Sequence, residues 1–205
     1  MVFKRLVFAT AMLAIALSSA AVADKTKNPS APSSTIHPPS PMYHIDLAVL
    51  LNVAGPFKTS LNYLQKTDVI ETFQMQANNT KAGITIFVPK DSAFAALKKK
   101  KKKKKKRTLG RLSKGQLKSL LLYHAFRKFY SLGEFSKLSR HNPVATFAGS
   151  RYTLNVTDDI GTIRVKSAWS TAKIGSTVYA TAPVAVYEVD KVLLPKQIFR
   201  SEPEP

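Results

Sequence analysis

The order of apolar and polar positions divides the chain into a mostly helical part and, from Val144 onward, a pleated part. In IDLAVLLNVAGPF (45–57) the apolar residues keep helical spacing, and Gly55 followed by Pro56 supplies the stop. Phe57, Leu61 and Leu64 stand at i, i+4 and i+7 and predict a second helical stripe. In DVIE, Asp68 at an N-cap and Glu71 three residues on have capping-box spacing, opening a third helix that runs to about Gln76. Three short helices in succession are expected to pack together at one end of the fold. GITIFVP (83–89) then reads as a strand, with Ile84, Ile86 and Val88 on one face and Thr85 and Phe87 on the other. Both faces are apolar or small, so this strand is expected to be central, lying with the late run Val184–Val189. Pro89 cannot donate to a ladder and ends it, and Asp91 is placed to cap the helix SAFAAL.

The second half begins with LSKGQLKSLLLYHAF (112–126), a helix opened by a box of Ser113 and Gln116, with Leu112 stapled against Leu117. Leu117, Leu120, Leu121 and His124 share its apolar face. Ser131 and Glu134 form another box near EFSKL. From Val144 onward the period falls to two. RYTLNV, GTIRVKSA, GSTVYATA and VAVYEVDKVLL are strand-like runs parted by turn residues, with Thr157–Gly161 expected as a hairpin loop. Helices first and strands afterwards, around one early central strand, predict an α+β domain rather than a βαβ repeat.

Composition sharpens this at the ends and in one loop. Residues 1–23 read as a secretory signal: Lys4 and Arg5, the apolar run Leu6–Leu17, and an Ala21-Val22-Ala23 cleavage site. Residues 24–42 carry five prolines among serines and threonines and read as an extended stalk. The chain holds no cysteine, so a secreted domain must be held by its core alone, and thiolate chemistry is excluded. The formal net charge is +20, of which Lys98–Arg107 contributes ten and Lys4 with Arg5 two, leaving a moderate +8. The basic character is therefore largely local. Nine consecutive lysines, Lys98 to Lys106, repel one another and are expected in a solvated loop spanning 98–107.

Three segments carry a family resemblance. TIFVPKDSAF (85–94), LLLYHAF (120–126) and VYEVDKVLLP (186–195) resemble, in order and spacing, the first motif, the Tyr-His motif and the second motif of the fasciclin domain. With the secretory start and the Pro/Ser stalk, the chain resembles a plant fasciclin-like arabinogalactan protein with one fasciclin domain over 43–199. The resemblance implies a wedge-shaped β-sandwich with helices packed along one edge. It also implies adhesion at the cell surface or cell wall, often linked to secondary-wall deposition, with no enzymatic activity and no cofactor. It departs from the pattern in the lysine tract and in the final residues 200–205, whose SEPEP ending carries no apolar tail, so a glycolipid anchor is not expected from this chain.

The candidate sites follow. The resemblance makes Tyr123 and His124 an adhesion-linked pair, although the place of His124 on an apolar helix face favours a satisfied interior histidine. Asn78 and Asn155 open N-glycosylation sequons, Asn78 read as lying in a polar loop and Asn155 in or beside a strand. Pro32, Pro39 and Pro41 stand in contexts resembling arabinogalactan-type hydroxyproline sites. Lys98, Lys99, Lys100, Lys101, Lys102, Lys103, Lys104, Lys105 and Lys106 are candidates for polyanion contact. They attract anions without interleaved aromatics for stacking on bases, so nucleic acid is not an expected partner. The scattered histidines and the lack of a nucleophile elbow, H-E-x-x-H or phosphate loop leave no constellation for catalysis and no metal set. The expected partner is a wall polysaccharide or an extracellular protein. The rival is a soluble polyanion binder acting through the tract.

Overall fold

The computed structural model describes residues 45–99 and 109–199. The signal, the stalk with Pro32, Pro39 and Pro41, Lys100 to Lys106, and the tail lie outside the described residues, as do the side chains of Lys98 and Lys99.

Three helices come first: α1 (Leu47–Val53), α2 (Lys58–Lys66) and α3 (Val69–Asn79). Asp46 caps α1 by accepting the amide of Val49 at 2.9 Å. The capping box expected at Asp68 does not form. Asp68 sits in the left-handed region with φ 58°, not the extended geometry a capping side chain needs, and its carboxylate pairs with Lys114 at 3.1 Å. This residue turns the chain from α2 straight into α3, which runs three residues past Gln76 to Asn79.

Strand β1 (Ile84–Pro89) follows, then α4 (Asp91–Lys99). Helix α4 continues through Lys98 and Lys99, so the tract begins on a helix rather than in a loop; cations suit the negative end of the helix dipole. Asp91, expected to cap the helix it opens, reaches across to α2, where Oδ1 accepts the amide of Thr59 at 2.7 Å. Helix α5 (Lys114–Leu122) starts with the expected box of Ser113 and Gln116. Strand β2 (Ala125–Phe126), a short turn with the Ser131–Glu134 box, and α6 (Phe135–Leu138) lead into β3 (Val144–Thr146), β4 (Gly149–Asp159), β5 (Thr162–Lys166), β6 (Thr171–Thr181) and β7 (Val184–Val189).

These strands form one seven-stranded mixed sheet in the order β2-β1-β7-β6-β5-β4-β3. It is nearly closed: the amide of Phe147, just past β3, donates to the carbonyl of Ala125 in β2 at 2.7 Å. The two layers of the sandwich are thus two halves of one sheet, and the expected α+β class holds. As expected, β1 lies beside β7; they run parallel and in step from Ile84 opposite Val184 to Pro89 opposite Val189. The other pairings are antiparallel.

Because strand side chains alternate, β1 and β7 form a wall between two cores. Ile84, Ile86, Val88, Val184 and Val186 face the helices, joining Leu51, Phe73, Leu117 and Leu120. Phe87, Ala185, Tyr187 and Val189 face the interior of the folded sheet with Leu154, Val156 and Val165. All of these residues are buried. The expected Thr157–Gly161 loop is shorter than anticipated. The β4–β5 ladder persists to Asp159 opposite Thr162, leaving Ile160 and Gly161 as a two-residue turn with φ 46° and 77°.

Candidate functional site

Helix α5 delivers Tyr123 and His124 to its buried C-terminal end. They are 2 % and 4 % exposed, so neither ring is presented to a partner. His124 Nδ1 lies 2.8 Å from the carbonyl of Leu120, which can only accept, so Nδ1 carries the proton. Nε2 then accepts the amide of Leu193 at 2.9 Å. The backbone carbonyl of His124 accepts from Phe87 in β1 at 2.8 Å. One residue thereby ties α5, β1 and the segment after β7. Burial lowers its pKa to about 4, against a smaller opposing effect of the Leu120 carbonyl. The imidazole is therefore neutral near pH 7, and it serves structure rather than contact.

The tyrosines repeat this arrangement. Tyr123 donates its hydroxyl to the carbonyl of Thr153 at 2.8 Å, and burial raises its pKa above the usual phenol value. Tyr187 donates to the carbonyl of Tyr130 at 2.8 Å; burial, with the Glu134 charge adding to it, pushes its pKa up to about 12. Thr85 accepts the Tyr130 amide and donates to the carbonyl of Lys128. The three motif segments are thus bonded to one another inside the fold. Asp190, in the second motif just past the end of β7, accepts the Lys173 amide at 2.7 Å, the strand-end role its position suggests.

Of the two sequons, Asn78 stands differently from expectation, while Asn155 lies in a strand as expected. Asn78 lies in the last turn of α3, half-buried, and accepts from Gln74 at 3.0 Å, because α3 continues through the expected polar loop. Asn155 projects from the exposed side of β4 and is the more open of the two.

A groove not anticipated from the sequence runs beside Asn155. Arg151, Asn155, Lys166, Lys196 and Gln197 line it, with Tyr123 at its base. Arg151 and Asn155 share one face of β4, Asn155 stands opposite Lys166 of β5, and Gln197 donates to the carbonyl of Arg151. The alternation of RYTLNV contained the first part of this signal. The approach of residues 195–199 is a tertiary contact that no local pattern encodes. Among the described residues, no group of three or more histidines and carboxylates could hold a metal ion. Nor is any helix there long and apolar enough to cross a membrane.

Comparison with known proteins bears on this architecture. Residues 55–195 match the family model of the fasciclin domain. The chain is 53 % identical to fasciclin-like arabinogalactan protein 7 of Arabidopsis thaliana, covering 79 % of this chain and 61 % of that protein. This chain belongs to the fasciclin-like arabinogalactan proteins. It is also 34 % identical to Arabidopsis thaliana fasciclin-like arabinogalactan protein 6, covering 86 % of this chain and 69 % of the relative. A solved FAS1 domain pair from the insect cell adhesion molecule fasciclin I superposes with a TM-score of 0.53 at 18 % identity, over 74 % of this chain and 52 % of that one. That likeness shows the fold. The chain spans about six-tenths of the length of the first of these relatives.

Proposed function

We propose that the protein is a secreted glycoprotein of the cell surface or cell wall that contributes to wall organisation, including secondary walls, by binding polysaccharide or another extracellular protein. The observation that carries this reading is the fasciclin-domain match over residues 55–195 on a rigid, internally bonded domain. The relatives' names supply the arabinogalactan class, and the adhesion molecule sharing the fold supplies the mode of action. In this reading residues 1–23 direct secretion, and residues 24–42 form a glycan-bearing stalk modified at Pro32, Pro39 and Pro41. Asn78 and Asn155 accept N-glycans, and no catalytic step or cofactor is involved. Tyr123 and His124 contribute by fixing the domain face around α5. Contact itself comes from the stalk glycans and from exposed side chains.

Retention of the secreted full chain on isolated wall material tests this. The expected result is saturable retention without release of sugars. Absence of retention, or turnover of the polysaccharide, contradicts it. A second reading rests on the tract, which supplies ten of the +20 charges and emerges from the end of α4. If deleting 98–106 abolishes retention while the domain stays folded, and salt releases the unaltered chain, the tract is the binder.

A further inference from the structure

The groove between β4, β5 and residues 195–199 has walls held in place from both sides. The Leu194 amide donates to Ser167 Oγ at 3.0 Å, and Trp169 Nε1 donates to the carbonyl of Phe199 at 2.8 Å. Tyr123 braces the base through Thr153, and Gln197 clamps the rim to β4. The groove is therefore built into the fold. Three cations line it, Arg151, Lys166 and Lys196, all exposed, and no carboxylate does. Among the described residues none of the three has an ion-pair partner. Their charge is free for a ligand.

We propose that this groove is an anion subsite for a carboxylate-bearing polysaccharide, a linear polyuronate. The proposal rests on the polysaccharide-binding reading above and names where and how such binding takes place. From Arg151 to Asn155 the strand covers roughly 14 Å at ~3.4 Å per residue, longer than one sugar ring, so the groove suits an extended chain. Arg151 can take a carboxylate in its planar fork, while Lys166 and Lys196 act as point charges. The amides of Asn155 and Gln197 are placed for sugar hydroxyls. The base is a tyrosine whose ring is buried, so no stacking platform for nucleobases exists there. The groove lies apart from the lysine tract in sequence and is fixed where a homopolymer of lysine attracts without shape. An N-glycan on Asn155 would occupy the same space, so glycan attachment and groove binding exclude one another at this residue, and the molecules that bind are those whose Asn155 carries no glycan.

The test uses the full chain carrying Thr157→Ala, which removes this sequon and keeps Asn155. Its affinity for a linear oligogalacturonate is measured by calorimetry at about 150 mM salt, where exposed long-range attraction is screened. Adding Arg151→Gln, Lys166→Gln and Lys196→Gln should weaken binding by about tenfold or more, since all three contacts are charge-assisted. The fully methyl-esterified oligosaccharide should not bind, and deleting 98–106 should change affinity by less than about threefold. An unchanged midpoint of thermal unfolding checks that the variants fold. The proposal is overturned by equal binding of the triple variant and its parent, equal binding of the ester, loss of binding on tract deletion alone, or equally strong competition by poly-glutamate. If the oligogalacturonate fails to bind while the chain is still retained on wall material, the groove assignment fails and adhesion stands. If both fail, the adhesion reading fails with it.

Discussion

Strands β1 and β7 are buried at every position except Glu188, whereas β4 and β6 carry exposed or half-buried residues along most of their length. Both pairs belong to one sheet, but they are built for different ends. Around β1 and β7 the hydroxyls and rings are consumed: Thr85, Tyr187 and His124 each bond to backbone from another segment. Even Glu188 is matched by Lys90 at 3.2 Å. Along the outer arm the side chains of Arg151 and Lys166 have no ion-pair partner among the described residues. The family's most recognisable residues therefore hold the domain together, while cations without an ion-pair partner stand where the sequence carries only alternation.

Substitutions can break or sharpen this contrast. Phe87 is fully buried with its ring centroid 5.1 Å from that of Phe126, so Phe87→Ala should cost about 3–5 kcal/mol, read by urea unfolding. Thr177→Ala on exposed β6 should stay within about 0.5 kcal/mol in the same assay. A comparable loss at both sites would erase the distinction.

His124→Leu comes next. It leaves the Leu193 amide buried without an acceptor, at about 1–3 kcal/mol. The histidine also sets a pH profile. Its folded pKa, about 4, lies below its ordinary 6.5, so the unfolded chain takes up the proton first as pH falls. Its contribution is complete above about pH 6.5 and declines toward about pH 4, where it amounts to a loss of about 3 kcal/mol. His124→Gln, which offers an acceptor without titrating, should restore part of the stability and remove this component of the profile. Unfolding free energies between pH 4 and 7 check both statements.

Ile160 is a branched residue in the left-handed region at a fully exposed turn. Ile160→Asp creates the Asp-Gly pair that such turns favour and should stabilise by up to about 1 kcal/mol. Lys114→Ala, which breaks the ion pair with Asp68, is another small change. Both side chains are about two-thirds exposed, so the change should be below about 1 kcal/mol and should shrink with salt.

Much of this fold was legible because its signals are local. The alternation of Ile84–Val88, the box at Ser113 and the apolar face of α5 each follow from a few neighbouring residues, and each is present. The failures share a cause: a distant partner competed for the group being read. Asp91 serves α2 and Asp68 serves Lys114. Asn78 is engaged by Gln74 because α3 extends beyond its expected end. The Tyr123–His124 pair was legible as chemistry but not as position. The apolar face that carries His124 points it to the interior, while the proton arrangement that makes it a bridge depends on Leu193, sixty-nine residues away. The basic groove was the least visible feature, since its rim comes from a segment with no repeating pattern.

The central claim is that the recognisable Tyr-His motif is architecture and not a contact surface. The most direct test is the retention of His124→Gln on isolated wall material, measured at a temperature where it is as fully folded as the unaltered protein. Undiminished retention with a lowered unfolding midpoint is the predicted result. A clear fall in retention with the midpoint unchanged would place His124 in the contact itself and contradict the account.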